Sequence, residues 1–226
     1  MSCSKDADVS APRYDKARLA QDLAVYAVTD STWLDGRALE DVVAQAIAGG
    51  ATFVQLREKG CSHEERCELA RRILPVCREH GVPFVVDDDV ACALAVGADG
   101  VHVGQSDTAC AAARAMLGPD AIVGVSAQTP EQARAAAEAG ADYLGVGAAF
   151  PTSTKADAEF TGIDGLARVC AATDLPVVAI GGITAANAGE LASTGACGVA
   201  VVSAIFAAAD PAAAARELKA AVEGWR

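Results

Sequence analysis

The sequence has no Cys-x-x-Cys pair, no apolar stretch long enough to span a bilayer, no surplus of basic residues and few aromatic side chains. Each absence removes a class of protein. The 226 residues include 18 Lys or Arg against 30 Asp or Glu, a net charge of −12. No basic face is therefore available to neutralise nucleic-acid phosphates. Eight cysteines stand at 3, 61, 67, 77, 92, 110, 170 and 197. Cys92, Cys110 and Cys197 lie in small-residue patterns, where cysteine behaves as a small hydrophobe. The set reads as reduced thiols of a cytoplasmic protein, not as a disulfide framework or a metal site. The longest apolar run, around Gly198 to Ala209, is too short for a membrane span and is broken by Ser203. The opening Met1-Ser-Cys-Ser-Lys-Asp6 has no apolar segment of the kind a signal peptide needs. No Ser–His–acid arrangement is evident. Neither is the acid–base pair or Schiff-base lysine that a sugar-phosphate isomerase or aldolase would need.

What is present is rhythm. Hydrophobic residues make up 52% of the chain, enough for one sizeable core. Residues 1–20 are polar and read as an irregular N-terminal extension. Short, near-continuously apolar runs follow at Ala24–Val28, Thr52–Leu56, Pro83–Val86, Gly100–Val103, Ile122–Val125, Tyr143–Val146, Val177–Ile180 and Gly198–Val202. Strands covered on both faces have this character. Alanine-rich segments between them carry helix signals: capping boxes at Ser62–Glu65 and Thr129–Gln132, and Asp210-Pro211 before the last helix. Gly49-Gly50, Gly81, Gly140 and Gly195 fall where helices should stop. Eight such units predict a single-domain α/β fold, a (β/α)8 TIM barrel over residues 21–226, with a doubly wound open sheet as the alternative.

In such a barrel the chemistry sits at the C-terminal ends of the strands, and the polar residues gather there. Gln55, Arg57 and Lys59 alternate onto one face past the second run, an amide and two cations suited to an anion. Asp87, Asp88 and Asp89 follow the third run; their mutual repulsion would be relieved by a cation. Asp89 reads as the cap of a helix from Val90, which leaves Asp87 and Asp88 without a structural task. Asp107 follows the fourth run, either capping a helix from Thr108 or joining Asp88 across strands ~4.8 Å apart in a magnesium site. His102, inside its strand, reads as a satisfied core imidazole. Ser126 follows the fifth run as a hydrogen-bond donor. After the sixth, Thr152, Ser153, Thr154 and Lys155 offer hydroxyls and an ammonium. Gly182 after the seventh, with Val202 and Ser203 after the eighth, stand where this fold often builds a phosphate site. The sum is a cationic, metal-assisted site fit for a diphosphate and a neutral backbone cradle fit for a monophosphate. That pairing suggests group transfer from a diphosphate donor to a phosphorylated acceptor.

These residues carry a resemblance. Gln-Leu-Arg-Glu-Lys at 55–59, Ala-Asp-Gly-Val-His-Val-Gly-Gln-x-Asp at 98–107, Gly-Val-Ser-Ala at 124–127, Pro-Thr-x-Thr-Lys at 151–155, Ile-Gly-Gly-Ile at 180–183 and Val-Ser-Ala-Ile at 202–205 resemble, in order and spacing, the thiamine-phosphate synthase (thiamine-phosphate pyrophosphorylase) family. The resemblance implies a transferase of thiamine biosynthesis. It would condense 4-amino-2-methyl-5-(diphosphomethyl)pyrimidine with 4-methyl-5-(2-phosphoethyl)thiazole to give thiamine phosphate and diphosphate. It further implies that Gln55, Leu56, Arg57, Glu58, Lys59, Asp87 and Ser126 hold the pyrimidine diphosphate, with Lys155 on the diphosphate. Arg57, Lys59, Ser126 and Lys155 would serve catalysis. Asp88 and Asp107 would ligate one Mg2+ per subunit, and Thr152, Ser153, Thr154, Gly182, Val202 and Ser203 would hold the thiazole phosphate. The expected partners are these small molecules, with no nucleic acid and no membrane; a homo-oligomer stays open. Two positions depart from the family pattern: Asp87 stands where Asn is usual, and Gln128 where His is usual. A related barrel group, thiazole tautomerases and regulators, binds thiazole phosphate without the condensation, but would be expected to lose parts of the diphosphate and metal set.

Overall fold

In the computed structural model, residues 14–105, 109–152 and 160–224 are described. Eight parallel strands close into a barrel in chain order: β1 (Val25–Val28), β2 (Phe53–Leu56), β3 (Phe84–Asp87), β4 (Gly100–Val103), β5 (Ile122–Ala127), β6 (Tyr143–Val146), β7 (Val177–Ile180) and β8 (Gly198–Val201). The open doubly wound alternative is thereby excluded, since β8 pairs back onto β1. Helices cover the outside: α1 (Leu19–Asp22), α2 (Leu39–Gly49), α3 (His63–Glu79), α4 (Val90–Val96), α5 (Cys110–Leu117), α6 (Pro130–Glu138), α7 (Gly162–Cys170), α8 (Ser203–Phe206) and α9 (Pro211–Glu223). Between β7 and β8 the crossover contains only a 3-10 helix, Ala188–Leu191.

The helix starts follow local chemistry. Ser62 and Thr129 form complete capping boxes with Glu65 and Gln132, while Asp210 caps α9 with Pro211 in its first turn. Asp89 caps α4 by accepting from Cys92 N. α5 is described from Cys110, with Ala109 at its N-cap; Asp107 and Thr108 lie outside the described residues.

Two apolar layers result from strand alternation. Outward-facing residues such as Val54, Leu56, Val86 and Val101 pack under the helices. Inward-facing Tyr26, Phe53, Val85, Ile122, Tyr143 and Val178 fill the barrel. The lower mouth is closed by Leu19 and Leu23, and here residues 14–20 differ from the irregular extension expected for 1–20, of which 1–13 lie outside the described residues. Lys16–Arg18 form a 3-10 helix leading into α1. Tyr14 donates to Asp22 at 2.7 Å and Lys16 pairs with Asp142 at 2.9 Å. The ordering follows from the need to cover the apolar lower end of the barrel, a long-range demand that local polarity does not reveal. Among the described residues, no helix is long and apolar enough to cross a membrane.

Candidate active site

At the upper mouth lies a cavity of about 610 Å³ lined by residues of all eight strand ends. Gln55, Arg57 and Lys59 line it together, as alternation past β2 requires. Their neighbours do not join them. Leu56 is fully buried in the outer core, and Glu58 turns inward to accept from Thr29 Oγ1 at 2.7 Å and Ser31 N at 3.0 Å. Neither side chain reaches the cavity lining, so within the 55–59 stretch the side chains that face the cavity are those of Gln55, Arg57 and Lys59. The same period of two that joins Gln55, Arg57 and Lys59 sends Leu56 and Glu58 to the opposite face. Glu58 instead ties the β1 loop to the β2 loop.

The three aspartates after β3 divide into three tasks. Asp87 ends β3 and faces Arg57, with Oδ2 3.6 Å from Nε, both side chains largely buried. It does have a structural task, contrary to the sequence expectation, because the β2–β3 register sets the two side by side. Asp88 lines the cavity with a left-handed backbone (φ 58) and donates its N–H to His102 O at 2.9 Å. Aspartate is among the few non-glycine residues that adopt this region readily. Asp89 points away to α3 and α4. Burial pushes its carboxyl up, but hydrogen bonds from Cys92 N, His63 and Arg66 outweigh this and hold it below the usual carboxylate range.

Ser126, next to last in β5, lines the cavity and lies 3.0 Å from His102 Nε2. His102 also lines the cavity, and both of its ring nitrogens have partners. Gln128 lines it too, while its backbone N–H donates to Gln132. Asp99 of the 98–107 motif belongs to the opposite end: buried there, it accepts from Arg78 at 2.7 Å and from Phe84 N at 2.8 Å. Its place in the motif is architectural.

The other side of the cavity is built from backbone. Gly181 and Gly182 carry positive φ values of 96° and 66°, and a Cβ on Gly182 would lie 2.5 Å from Pro151 O. Only glycine permits the loop after β7 to pass this close to the loop after β6. Ala149 N and Phe150 N donate to Ile180 O and Gly181 O, joining the two loops. Asn187, which carries no local signal of a role, donates to Gly182 O at 2.9 Å and accepts from Thr184 N at 2.8 Å. Thr152, Val202 and Ser203 complete this side, Ser203 opening α8. Asp107, Ser153, Thr154 and Lys155 lie outside the described residues.

Among the described residues, no group of three or more His, Cys, Asp and Glu side chains gathers as a metal cage. The oxygen donor that the described lining offers beside Arg57 and Lys59 is Asp88, with Asp87 already facing Arg57. Hard carboxylate oxygens next to an anion site suit Mg2+, which takes one or two carboxylates and completes its shell with substrate phosphates and water.

Comparison with known proteins shows the family of this barrel. A family model described as thiamine monophosphate synthase matches residues 25–205. The chain is 52% identical over 192 residues to the chloroplastic thiamine biosynthetic bifunctional enzyme TH1 of Arabidopsis thaliana, covering 82% of this chain and 36% of that one. It is 48% identical over 209 residues to the thiamine-phosphate synthase of Haloarcula marismortui, covering 91% of this chain and 99% of that one. It thus spans about a third of the plant protein's length and nearly all of the archaeal one's. Among solved structures, thiamine phosphate pyrophosphorylase from Pyrococcus furiosus superposes with a TM-score of 0.84 at 40% identity, covering 91% of this chain and 98% of that one. By its sequence, its closed barrel and the side chains at its upper mouth, the chain belongs to the thiamine monophosphate synthase family.

Proposed function

We propose that this protein joins 4-amino-2-methyl-5-(diphosphomethyl)pyrimidine to 4-methyl-5-(2-phosphoethyl)thiazole, releasing diphosphate and forming thiamine phosphate. The observation that carries the reading is one cavity with two unlike ends: cationic side chains after β2 and a glycine-turned backbone after β7 and β8. Two phosphorylated substrates would then meet in the middle with their reactive atoms facing each other.

The bond that breaks joins the pyrimidine methylene carbon to a diphosphate oxygen. The electron pair leaves with diphosphate, and the aminopyrimidine ring delocalises the positive charge left on carbon. Arg57 and Lys59 line the cavity where charge grows on the leaving oxygens, and Lys155 would add a third cation there. Asp88 and Asp107 would hold a magnesium ion, which would supply further neutralisation of the diphosphate. The thiazole nitrogen uses its own lone pair to form the new C–N bond, so no general base is called for. Positioning by the phosphate cradle of Gly182, Val202, Ser203 and the residues from Thr152 to Thr154 is what the second substrate needs. Ser126 and Gln55 hold the pyrimidine ring.

Asp87 has a consequence for this chemistry. Arg57 and Lys59 are matched in formal charge by Asp87 and Asp88 among the described lining residues, so the diphosphate depends heavily on Mg2+ and Lys155. Asp87→Asn removes one repulsive charge beside the diphosphate. Its KM should fall by roughly threefold to tenfold with turnover kept; a raised KM would mean that Asp87 serves the substrate through Arg57. At the other end, Ser203→Asp sets a carboxylate against the phosphate. The KM for the thiazole phosphate should rise ~100-fold while that for the pyrimidine diphosphate stays put. An unmoved thiazole KM would put the monophosphate elsewhere.

A cytoplasmic setting is supported by the described cysteines, which stand as free thiols. Calorimetric titration tests the two-ended reading directly. Each substrate should bind once per chain without displacing the other, the diphosphate only with magnesium present. Mutual displacement would contradict it.

A further inference from the structure

Along the cavity floor runs a chain of polar groups that bond breaking and bond making do not themselves use. Gln55 Nε2 donates to Tyr26 Oη at 2.5 Å, and Tyr26 Oη lies 2.8 Å from Tyr143 Oη. Tyr143 Oη lies 3.0 Å from His102 Nδ1, and His102 Nε2 lies 3.0 Å from Ser126 Oγ. The chain crosses the barrel from β2 to β5, and both of its ends line the cavity. The backbone makes room for it. The registers place His102 beside Gly124, Gly124 beside Tyr143, and Ser126 beside Gly145. A Cβ at Gly124 would collide with the Tyr143 phenol, and one at Gly145 would come within 3.1 Å of the His102 ring.

Both tyrosines are almost wholly buried. Burial, with Asp87 nearby, pushes their phenols far up, so both keep their protons. A phenol has one hydrogen to donate, and leaving that hydrogen buried without an acceptor is costly, so the direction of the first bond sets that of the rest. With Gln55 donating, Tyr26 donates to Tyr143 and Tyr143 to Nδ1 of His102. His102 is then neutral with its proton on Nε2, and it donates to Ser126 Oγ. The chain leaves the hydroxyl hydrogen of Ser126 available as a donor to a ligand. It also leaves Gln55 Oε1, which accepts from none of the described residues, as an acceptor. Turning the Gln55 amide over would reverse every bond and commit the Ser126 hydrogen to His102. The two ends are linked although they stand on opposite sides of the barrel.

Building on the synthase reading, we propose that Tyr26, Tyr143 and His102 are positioning residues that fix Ser126 as a donor and Gln55 as an acceptor towards the pyrimidine. They thereby select a ring that turns an amino donor towards Gln55 and an acceptor nitrogen towards Ser126 over its oxo counterpart. An oxo analogue offers an acceptor where Gln55 presents an acceptor, and accommodating it requires all four bonds to reverse.

Nitrogen-15 NMR of the full chain labelled at histidine, of which there are three, reads the polarity with no substrate present. Nδ1 of His102 should show the shift of an unprotonated ring nitrogen and Nε2 that of an N–H. The opposite pattern overturns the proposal. Tyr143→Phe cuts the chain at its centre, and thiazole phosphate binding confirms that the variant is folded. Its kcat/KM for the pyrimidine diphosphate should fall ~10–100-fold, with the thiazole phosphate KM unchanged and the preference for amino over oxo pyrimidine reduced. Equal losses for both substrates, or an undiminished preference, overturn the proposal. A wild-type protein with the stated tautomer that forms no thiamine phosphate counts against the synthase reading and not against the relay.

Discussion

Arg57→Ala should lower kcat by ~10²–10³-fold, the cost of removing one preorganised donor from a developing negative charge. The guanidinium stands at the end of β2 with a side chain only 12% exposed, where charge is poorly screened. Its loss has a second effect peculiar to this chain. Asp87 then faces the diphosphate without the cation 3.6 Å away that now offsets it, so the KM for the pyrimidine diphosphate rises as well. Arg57→Lys restores charge but not the planar fork, and recovers only part of the rate. In the double variant Arg57→Ala with Asp87→Asn, KM returns towards wild type while kcat stays low. Steady-state kinetics on both substrates measures all of this. An Arg57→Ala enzyme with wild-type kcat would remove Arg57 from the reaction.

The second large effect is at Asp88. Asp88→Asn retains the fold, because asparagine accepts a left-handed backbone as readily as aspartate does. It loses ~10³-fold in magnesium-dependent turnover, the scale of several kcal/mol of charge stabilisation. Asp88→Ala loses as much activity and also about 1 kcal/mol of stability, because alanine is strained at φ 58. Calorimetric titration of Mg2+ in the presence of the pyrimidine diphosphate provides a readout independent of turnover. Undiminished metal binding by Asp88→Asn would move the cation away from this loop.

How far the sequence could be read depends on the range of the forces involved. The eight strands were legible because each is short, nearly all apolar and flanked by capping or glycine signals that act within a few residues. That Gln55, Arg57, Lys59, Asp88, Ser126, Gly182 and Ser203 would share one mouth was legible because they follow apolar runs, and a barrel gathers such positions at one end. What escaped depends on pairing between distant segments. The Arg57–Asp87 pair needs the β2–β3 register. Tyr26 and Tyr143, as aromatics in apolar runs, look like core residues and are core residues; only their phenol oxygens, brought together by closure of the barrel, mark them as part of the site. Asn187 has no local signature, because its partner is the carbonyl of a glycine turn. Leu56 and Glu58 came in with the motif that surrounds them, although strand alternation already pointed them elsewhere.

The central claim is that the two ends of the cavity serve one condensation, and product formation tests it. Purified protein is mixed with pyrimidine diphosphate, thiazole phosphate and magnesium, and timed samples are oxidised to convert thiamine phosphate to fluorescent thiochrome. The account predicts a rise that needs both substrates and disappears when magnesium is chelated. A folded protein that binds thiazole phosphate yet produces no thiochrome would contradict it, and would place the chain with barrels that bind the thiazole without condensing it.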